Sequence, residues 1–175
     1  MMKKKDTSNH PVLEVFLAEG RAVTRNGKAT NLFVVFELYD PPKVMTPKKA
    51  QKCPSYLSLD RGELACTKKS SAKLWNKHPQ WDDTFELGPV VSMHSVFRVA
   101  VYHYRGVLHE SNIRFGGEMS GYLADLGVSD TEIRGWFPMD TSGATGEEEA
   151  TGELKLGIRV RDAHLLDVVP QVIEA

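Results

Sequence analysis

The chain has 175 residues, a length that suits one domain or one domain that carries a long insertion. Its 22 basic and 23 acidic residues give a formal net charge of −1, so overall charge favours no partner, and we expect no nucleic-acid ligand. No apolar run approaches the roughly 20 residues of a membrane-spanning helix, and the first residues lack the apolar centre of a signal peptide. We therefore expect a soluble, cytoplasmic protein whose membrane contact is peripheral.

Short apolar segments, several of which alternate polar and apolar residues as half-buried strands do, recur along the chain. The predicted strands are Val12–Leu17, Leu32–Leu38, Leu64–Thr67, Thr84–Leu87, Ser95–Tyr102, Phe115–Leu123, Arg134–Met139 and Glu153–Val160. We expect the first to end at Gly20 and the second at Asp40-Pro41-Pro42, because proline cannot donate to a strand ladder. Helical turns are expected only at Gly121–Leu126 and Leu165–Ile173.

This pattern predicts an all-β fold, an eight-stranded antiparallel β-sandwich with a long insertion between strands 3 and 4. The insertion is the polar, lysine-rich segment 41–62, and residues 11–162 form the expected domain. Residues 1–10 are expected to be a flexible N-terminal segment and residues 163–175 a C-terminal tail. Two cysteines, Cys53 and Cys66, favour a reducing compartment, although a bridge between them stays open.

Several motifs follow one another in an order that resembles the C2 domain family from Leu13 to Arg161. His78-Pro79-Gln80-Trp81-Asp82-Asp83-Thr84-Phe85-Glu86-Leu87 is similar to the family's "Asn-Pro-x-Trp-Asn-Glu-x-Phe-x-Phe" signature. Leu13-Glu14-Val15 is similar to the first strand and Gly152-Glu153-Leu154-Lys155-Leu156 to the closing "Gly-x-Leu-x-Leu" strand, as in the circularly permuted type II arrangement. The residues expected in the core are Trp81, Phe85, Phe97, Val99 and Val101.

The resemblance implies a calcium site between two tip loops, but the implied ligand positions carry unsuitable side chains. The first-loop aspartates map to Arg25 and Asn31, and the third-loop pair maps to His103-Tyr104-Arg105. The last ligand falls within Ser111–Arg114. Because calcium needs several charged oxygen ligands and arginine donates none, we expect no bound metal.

Basic residues are the candidate binding residues for an anionic phospholipid surface. The resemblance places one lysine-rich strand on a concave face, and the candidates there and in the insertion are Lys48, Lys49, Lys68, Lys69, Lys73 and Lys77. Each cation near an anionic leaflet contributes roughly 1 kcal/mol. These lysines could equally protect an edge strand from aggregation. Arg25, His103 and Arg105 form a second candidate site, or a loop that has lost its ligand, and Val107 and Leu108 are candidates for membrane insertion.

Catalysis has little support in the sequence. Six scattered histidines form no recognised nucleophile motif, and Asp82 and Asp83 should point to opposite faces of a strand. We therefore expect no enzymatic activity and no cofactor. The two functional hypotheses are a calcium-independent module that recognises anionic phospholipid through a basic face, and a calcium-independent protein-interaction module of a scaffold or cytoskeletal or ciliary assembly.

Overall fold

The computed structural model describes residues 10–42, 61–141 and 150–166. Its eight strands are β1 Val12–Arg25, β2 Asn31–Tyr39, β3 Leu64–Lys69, β4 Gln80–Leu87, β5 Val96–Tyr104, β6 Arg114–Tyr122, β7 Ile133–Pro138 and β8 Ala150–Arg161. Two short 3₁₀ turns span Glu110–Asn112 and Ala163–Leu166. The predicted all-β fold with eight antiparallel strands is confirmed.

The strands form two four-stranded sheets, in the orders β4-β1-β8-β7 and β3-β2-β5-β6. The first and last strands are neighbours, and their register pairs Leu13 with Val160 and Leu17 with Leu156. All the strand pairs are antiparallel. Each sheet turns one face inward, and the hydrophobic core lies between these two faces.

Alternation along the strands selects the side chains that fill the core. Leu13, Val15 and Leu17 of β1 are fully buried, whereas the residues between them are half-buried. A fully buried leucine, valine or phenylalanine contributes about 1.5–3 kcal/mol to folding, so this alternation fixes which face of each strand points inward. Strands β2 and β5 are nearly continuous apolar runs because aromatic side chains also cover much of their outer face.

The Pro-x-Trp signature lies at the start of β4, and most of the expected core residues are buried there and in β5. Trp81 is buried and its Nε1 donates to the Ser71 carbonyl at 2.9 Å. Phe97, Val99 and Val101 are buried. Phe85 is only half-buried, because it packs on Phe36 at the border of the core, with ring centroids 4.8 Å apart.

Two expectations about strand positions are corrected by the structure. Strand β1 continues past Gly20 to Arg25, because the chain does not break at Gly20 but passes close to Pro79 there, and the Gly20 N–H donates to the Pro79 carbonyl at 2.7 Å. A Cβ at Gly20 would lie 3.0 Å from the Pro79 ring, so only glycine fits without displacement. Residues 41–62 lie between β2 and β3 in the chain, and not between strands 3 and 4, because the strand that precedes them, Asn31–Tyr39, is the second.

The expected helical turns are shifted along the chain. Gly121 pairs with Phe97 inside β6, and the turn begins only at Leu123. The 3₁₀ turn Ala163–Leu166 lies earlier than the turn expected at Leu165–Ile173, of which residues 167–173 lie outside the described residues. Cys53 also lies outside them, and Cys66 is a free cysteine in this structure.

Candidate functional site at the loop end of the sandwich

Three loops meet at one end of the sandwich, which we call the loop end: residues 26–30, 70–79 and 105–113. Asn31, the first residue of β2, pairs with Tyr104, the last residue of β5. Leu32 exchanges two backbone hydrogen bonds with Lys73, at 2.8 and 2.9 Å. These pairings bring the turn before β2, the connection after β3 and the loop after β5 to the same edge of the fold.

A cavity of about 200 Å³ opens at the loop end. Its lining residues are Arg25, Thr30, His103, Tyr104, Arg105, Asn112 and Arg114. Arg25 ends β1, Arg105 follows β5 and Arg114 begins β6, so two strands and the β5–β6 loop each supply one guanidinium group. We call this feature the arginine cavity.

The charges in the arginine cavity interact with one another. Burial lowers the pKa of Arg25, and the positive charges of Arg114 and Arg105 lower it further. Burial also lowers the pKa of His103 to about 4, with a smaller contribution from the charge of Arg25. Near neutral pH the imidazole is therefore uncharged, and guanidinium groups supply the positive charge of the lining.

His103 closes the inner side of the cavity. Its Nδ1 and Thr30 Oγ1 lie 2.5 Å apart and share a hydrogen bond between the β1–β2 turn and β5. Its Nε2 is buried and has no hydrogen-bond partner among the described residues. The register places His103 opposite Arg114, across a bulge between Val101 and Tyr102. The ring is thus a buried neutral wall of the cavity.

The described lining of the arginine cavity differs from the oxygen-rich ligand set of a calcium site. The described residues that line the cavity present three guanidinium groups and no carboxylate. The side-chain oxygen of Asn31, at a position where the resemblance implies a ligand, accepts the Trp75 N–H at 3.2 Å. In the part of the chain that the structure describes, no group of three or more His, Cys, Asp or Glu side chains could hold a metal ion.

Exposed apolar side chains surround the same end, and we call them the apolar rim. They are Leu74, Trp75, Val107 and Leu108. Trp75 is 69% exposed and Val107 is 84% exposed. The hydrogen bond from the Trp75 N–H to Asn31 ties the β3–β4 connection to the start of β2. Two of the three loops therefore present apolar side chains beside the arginine cavity.

The candidate lysines do not share one face. Lys68 pairs with the core residue Phe36, whereas Lys69 pairs with Val35 on the opposite face of β3. The Lys69 ammonium lies 4.2 Å from the centre of the Phe33 ring. Lys73 and Lys77 belong to the β3–β4 connection at the loop end. Lys48 and Lys49 lie outside the described residues.

The outer face of the β3-β2-β5-β6 sheet is balanced in charge around Arg98. Its guanidinium contacts Glu37 at 2.9 Å and also pairs with Glu118. These two carboxylates neutralise Arg98, while Lys69 lies on the Phe33 ring and Arg61 on the Tyr39 ring of the same face. Burial disfavours the charged Arg98, but the hydrogen bonds that it donates to Tyr102 and Glu118 outweigh this effect and raise its pKa.

Several members of the arginine cavity, Arg114 and Thr30 among them, were not identified from the sequence as binding residues. Arg114 is the last residue of Ser111–Arg114, the segment to which the resemblance assigns the last calcium ligand. The ligand could not be assigned to one residue there, because the β5–β6 loop is longer than that of the motif. Thr30 belongs to no motif. The bulge that sets Arg114 opposite His103 has no signature in a single sequence.

Comparison with solved structures identifies proteins that share this architecture. No family model matches the sequence, and no curated protein matches it. Among solved structures, a C2 domain of plant Extended Synaptotagmin 1 is similar with a TM-score of 0.56 and 15% identity, covering 86% of this chain and 93% of that chain. CC2D1B gives a TM-score of 0.57 and 18% identity, covering 94% of this chain and 60% of that chain.

Human GIVD cytosolic phospholipase A2 is similar with a TM-score of 0.55 and 14% identity. The likeness covers 88% of this chain but only 17% of that chain. At these identities the comparisons establish the fold, and the chain has the C2 fold that its motifs predicted. No described segment forms a helix of the length and apolarity that a bilayer crossing requires.

Proposed function

We propose that this domain is a peripheral membrane module that binds anionic phospholipid without calcium, through its loop end, and that it is not an enzyme. The observation that carries the proposal is the joint presence there of three clustered arginines and the apolar rim. Apolar side chains can enter the boundary between headgroups and acyl chains while adjacent cations meet lipid phosphates. The anionic cytoplasmic leaflet is the expected target.

The charge distribution favours the loop end over the outer face of the β3-β2-β5-β6 sheet. On that face, Glu37 and Glu118 hold Arg98 in ion pairs, and Lys69 lies against the Phe33 ring. At the loop end, Arg25, Arg105 and Arg114 lie close enough that the charges of the last two lower the pKa of the first, after burial. A local positive field arises there although the whole chain is nearly neutral.

Calcium independence follows from the same side chains. A divalent cation placed among guanidinium groups meets repulsion, and it finds few oxygen ligands in the described lining. The arginines would instead supply, without a metal, the positive charge that draws lipid phosphate. We therefore propose that neither calcium nor a chelator changes membrane binding.

The proposal that the domain binds without catalysing a reaction is supported by the one exposed Ser–His contact that the described residues make at the loop end. His109 Nδ1 lies 2.8 Å from Ser111 Oγ, and the Ser111 N–H also donates to that nitrogen at 3.2 Å. This is a local turn of neighbouring residues. An activated serine needs a base that a third group orients. His109 Nδ1 instead accepts a hydrogen bond from the Ser111 backbone N–H.

A protein partner is the second candidate, and Trp75 favours it. An exposed tryptophan next to an exposed leucine is typical of the anchor residues at protein interfaces. The same apolar rim would then bury against a partner instead of a bilayer.

Vesicle sedimentation distinguishes these functions. We expect the protein to sediment with anionic vesicles and not with neutral ones, equally with calcium and with chelator. Arg105→Gln should weaken binding by about fivefold, which corresponds to the roughly 1 kcal/mol that one cation contributes. Val107→Asp should weaken it as well.

The matched control is Lys69→Gln, which removes one positive charge from the outer face and should have a smaller effect than Arg105→Gln. The paired variant Lys48→Gln/Lys49→Gln tests the lysines of the insertion. Indifference of the wild-type protein to anionic vesicles at low salt would overturn the membrane proposal in favour of a protein partner. A calcium requirement would overturn calcium independence.

A further inference from the structure

The arginine cavity differs from a general basic patch because its cations come from β1, β6 and the β5–β6 loop and meet in one concavity. A patch of exposed lysines attracts any anionic surface, since each ammonium acts as a point charge. Three guanidinium groups that line a cavity of about 200 Å³ can instead donate hydrogen bonds to one small anion from several directions. The cavity is therefore suited to a compact anion.

The described contacts hold two parts of this arrangement in place without a ligand. Nη1 of Arg114 donates to the carbonyls of Ser111 and Ile113, at 2.9 and 3.1 Å, which fixes its guanidinium against its own loop. The Asn112 amide lies 3.4 Å from the Arg105 carbonyl and 3.3 Å from the Val107 carbonyl, inside that loop. Because the loop is braced before binding, little conformational entropy remains to be lost.

Like charges lie close together among the described residues of the cavity. Arg25 is half-buried at the end of β1, and its pKa is lowered by burial and then by the charges of Arg114 and Arg105. A bound anion would be attracted by all three cations. The neutral His103 forms the inner wall and adds no fourth charge near neutral pH.

The number of guanidinium groups indicates the kind of phosphate. A phosphomonoester has three terminal oxygens and a charge of about −1.5 to −2 near neutral pH. A phosphodiester has two terminal oxygens and a single negative charge. Three guanidinium groups can each bind a separate oxygen only on the monoester. Charge-assisted hydrogen bonds of this kind are the strong ones.

We infer that the arginine cavity is a phosphomonoester site, in which Arg25, Arg105 and Arg114 together bind one dianionic phosphoryl group. This inference rests on the proposed function in that it uses the same loop end and names the headgroup chemistry that the membrane would present. The same chemistry is found on a free metabolite and on a lipid such as phosphatidic acid. The two sources are separated by experiment.

The first experiment uses soluble esters and no membrane. Isothermal titration of the full chain should show one-to-one binding of glycerol 3-phosphate, and binding of dimethyl phosphate at equal ionic strength should be roughly tenfold weaker or less. Arg105→Gln and Arg114→Gln should each lose binding, and Arg105→Lys should recover it only in part, because lysine lacks the planar fork. Arg134→Gln, an exposed arginine of β7 on the other sheet, is the control that should bind normally.

The second experiment uses vesicles of equal surface charge that contain phosphatidic acid or phosphatidylglycerol. Preference for phosphatidic acid that Arg105→Gln abolishes supports a lipid monoester as the ligand. Monoester binding in solution without vesicle binding supports the site with a free ligand and overturns the membrane function. Equal binding to both vesicles, with no ester binding in solution, overturns the monoester site and leaves the membrane function intact. An unchanged affinity for glycerol 3-phosphate in both glutamine variants overturns the site as well.

Discussion

At the scale of single residues, His103 connects the core of the sandwich to the loop end. Its ring is buried, shares a hydrogen bond with Thr30 and lies near Arg25, and burial followed by that charge lowers its pKa to about 4. Arg114 of β6 and Arg105 of the adjoining loop also face the same cavity. Every described charged group that lines the cavity with His103 is therefore a cation, and all of them disfavour the imidazolium form.

This environment predicts that stability falls with acid in a defined window. In the unfolded chain the imidazole takes up its proton near pH 6.5, whereas in the folded protein it does so only near pH 4. The unfolded state therefore binds more protons between these values, and the free energy of unfolding decreases as the pH falls through them. The full difference is on the order of 3 kcal/mol.

Urea unfolding of the wild-type protein and of His103→Gln at a series of pH values measures this effect. The other histidines are common to both proteins, so the difference between the two slopes isolates His103. The wild-type slope should exceed that of the variant in the upper part of the window, where most carboxylates stay ionised. Parallel slopes would show that His103 titrates normally.

The sequence could indicate some residues of the site and not others. Arg25 and Arg105 stand at positions that the C2 resemblance assigns to acidic ligands, so a substitution of opposite charge was visible there. Arg114 and Thr30 reach the cavity through a bulge and a turn, at 89 and 5 positions beyond Arg25 in the chain. The proximity of these side chains to Arg25 depends on the register between strands, which the pattern of a single sequence does not predict.

At the scale of strands, the period of two determined most of what was predicted correctly. Apolar runs and alternation together located all eight strands, and the period of two accounts for the opposed directions of Lys68 and Lys69. It could not show that Gly20 is a close approach within β1, because the contact is to Pro79 from another part of the chain. Nor could it show the ion pairs of Arg98, since Glu37 is 61 residues away in the chain.

The central strands of the β3-β2-β5-β6 sheet provide the second prediction. Arg98→Met should destabilise the fold by about 2 kcal/mol, because Glu37 and Glu118 would then lie close together, one of them mostly buried, without a cation. Chemical denaturation measures the change. Adding Glu37→Gln to Arg98→Met should restore part of the stability, since it removes the more buried of the two carboxylates. An additive, larger loss in the double variant would contradict the coupling.

At the scale of the whole molecule, two surfaces compete for the role of binding face. The outer face of the β3-β2-β5-β6 sheet carries Lys69 on the Phe33 ring, and its Arg98 is held in ion pairs with Glu37 and Glu118. The loop end gathers cations and exposed apolar side chains from separate loops. The sequence order of motifs predicted the fold, but the choice between these surfaces required the sheet order and the register.

The central claim, that the loop end meets the membrane, is tested most directly by the depth of Trp75 in the bilayer. Trp75 belongs to the apolar rim, whereas Trp81 is buried in the core and Trp136 lies half-buried in β7. Anionic vesicles that carry brominated acyl chains quench only those tryptophans that reach them. The measurement compares the emission of the wild-type protein with that of Trp75→Phe.

We predict that binding quenches the wild-type emission, shifts the remaining signal to shorter wavelength, and that Trp75→Phe loses most of the quenching while it still sediments with the vesicles. Binding to anionic vesicles without quenching of Trp75, or equal quenching in Trp75→Phe, would contradict the account and place the membrane contact on another face.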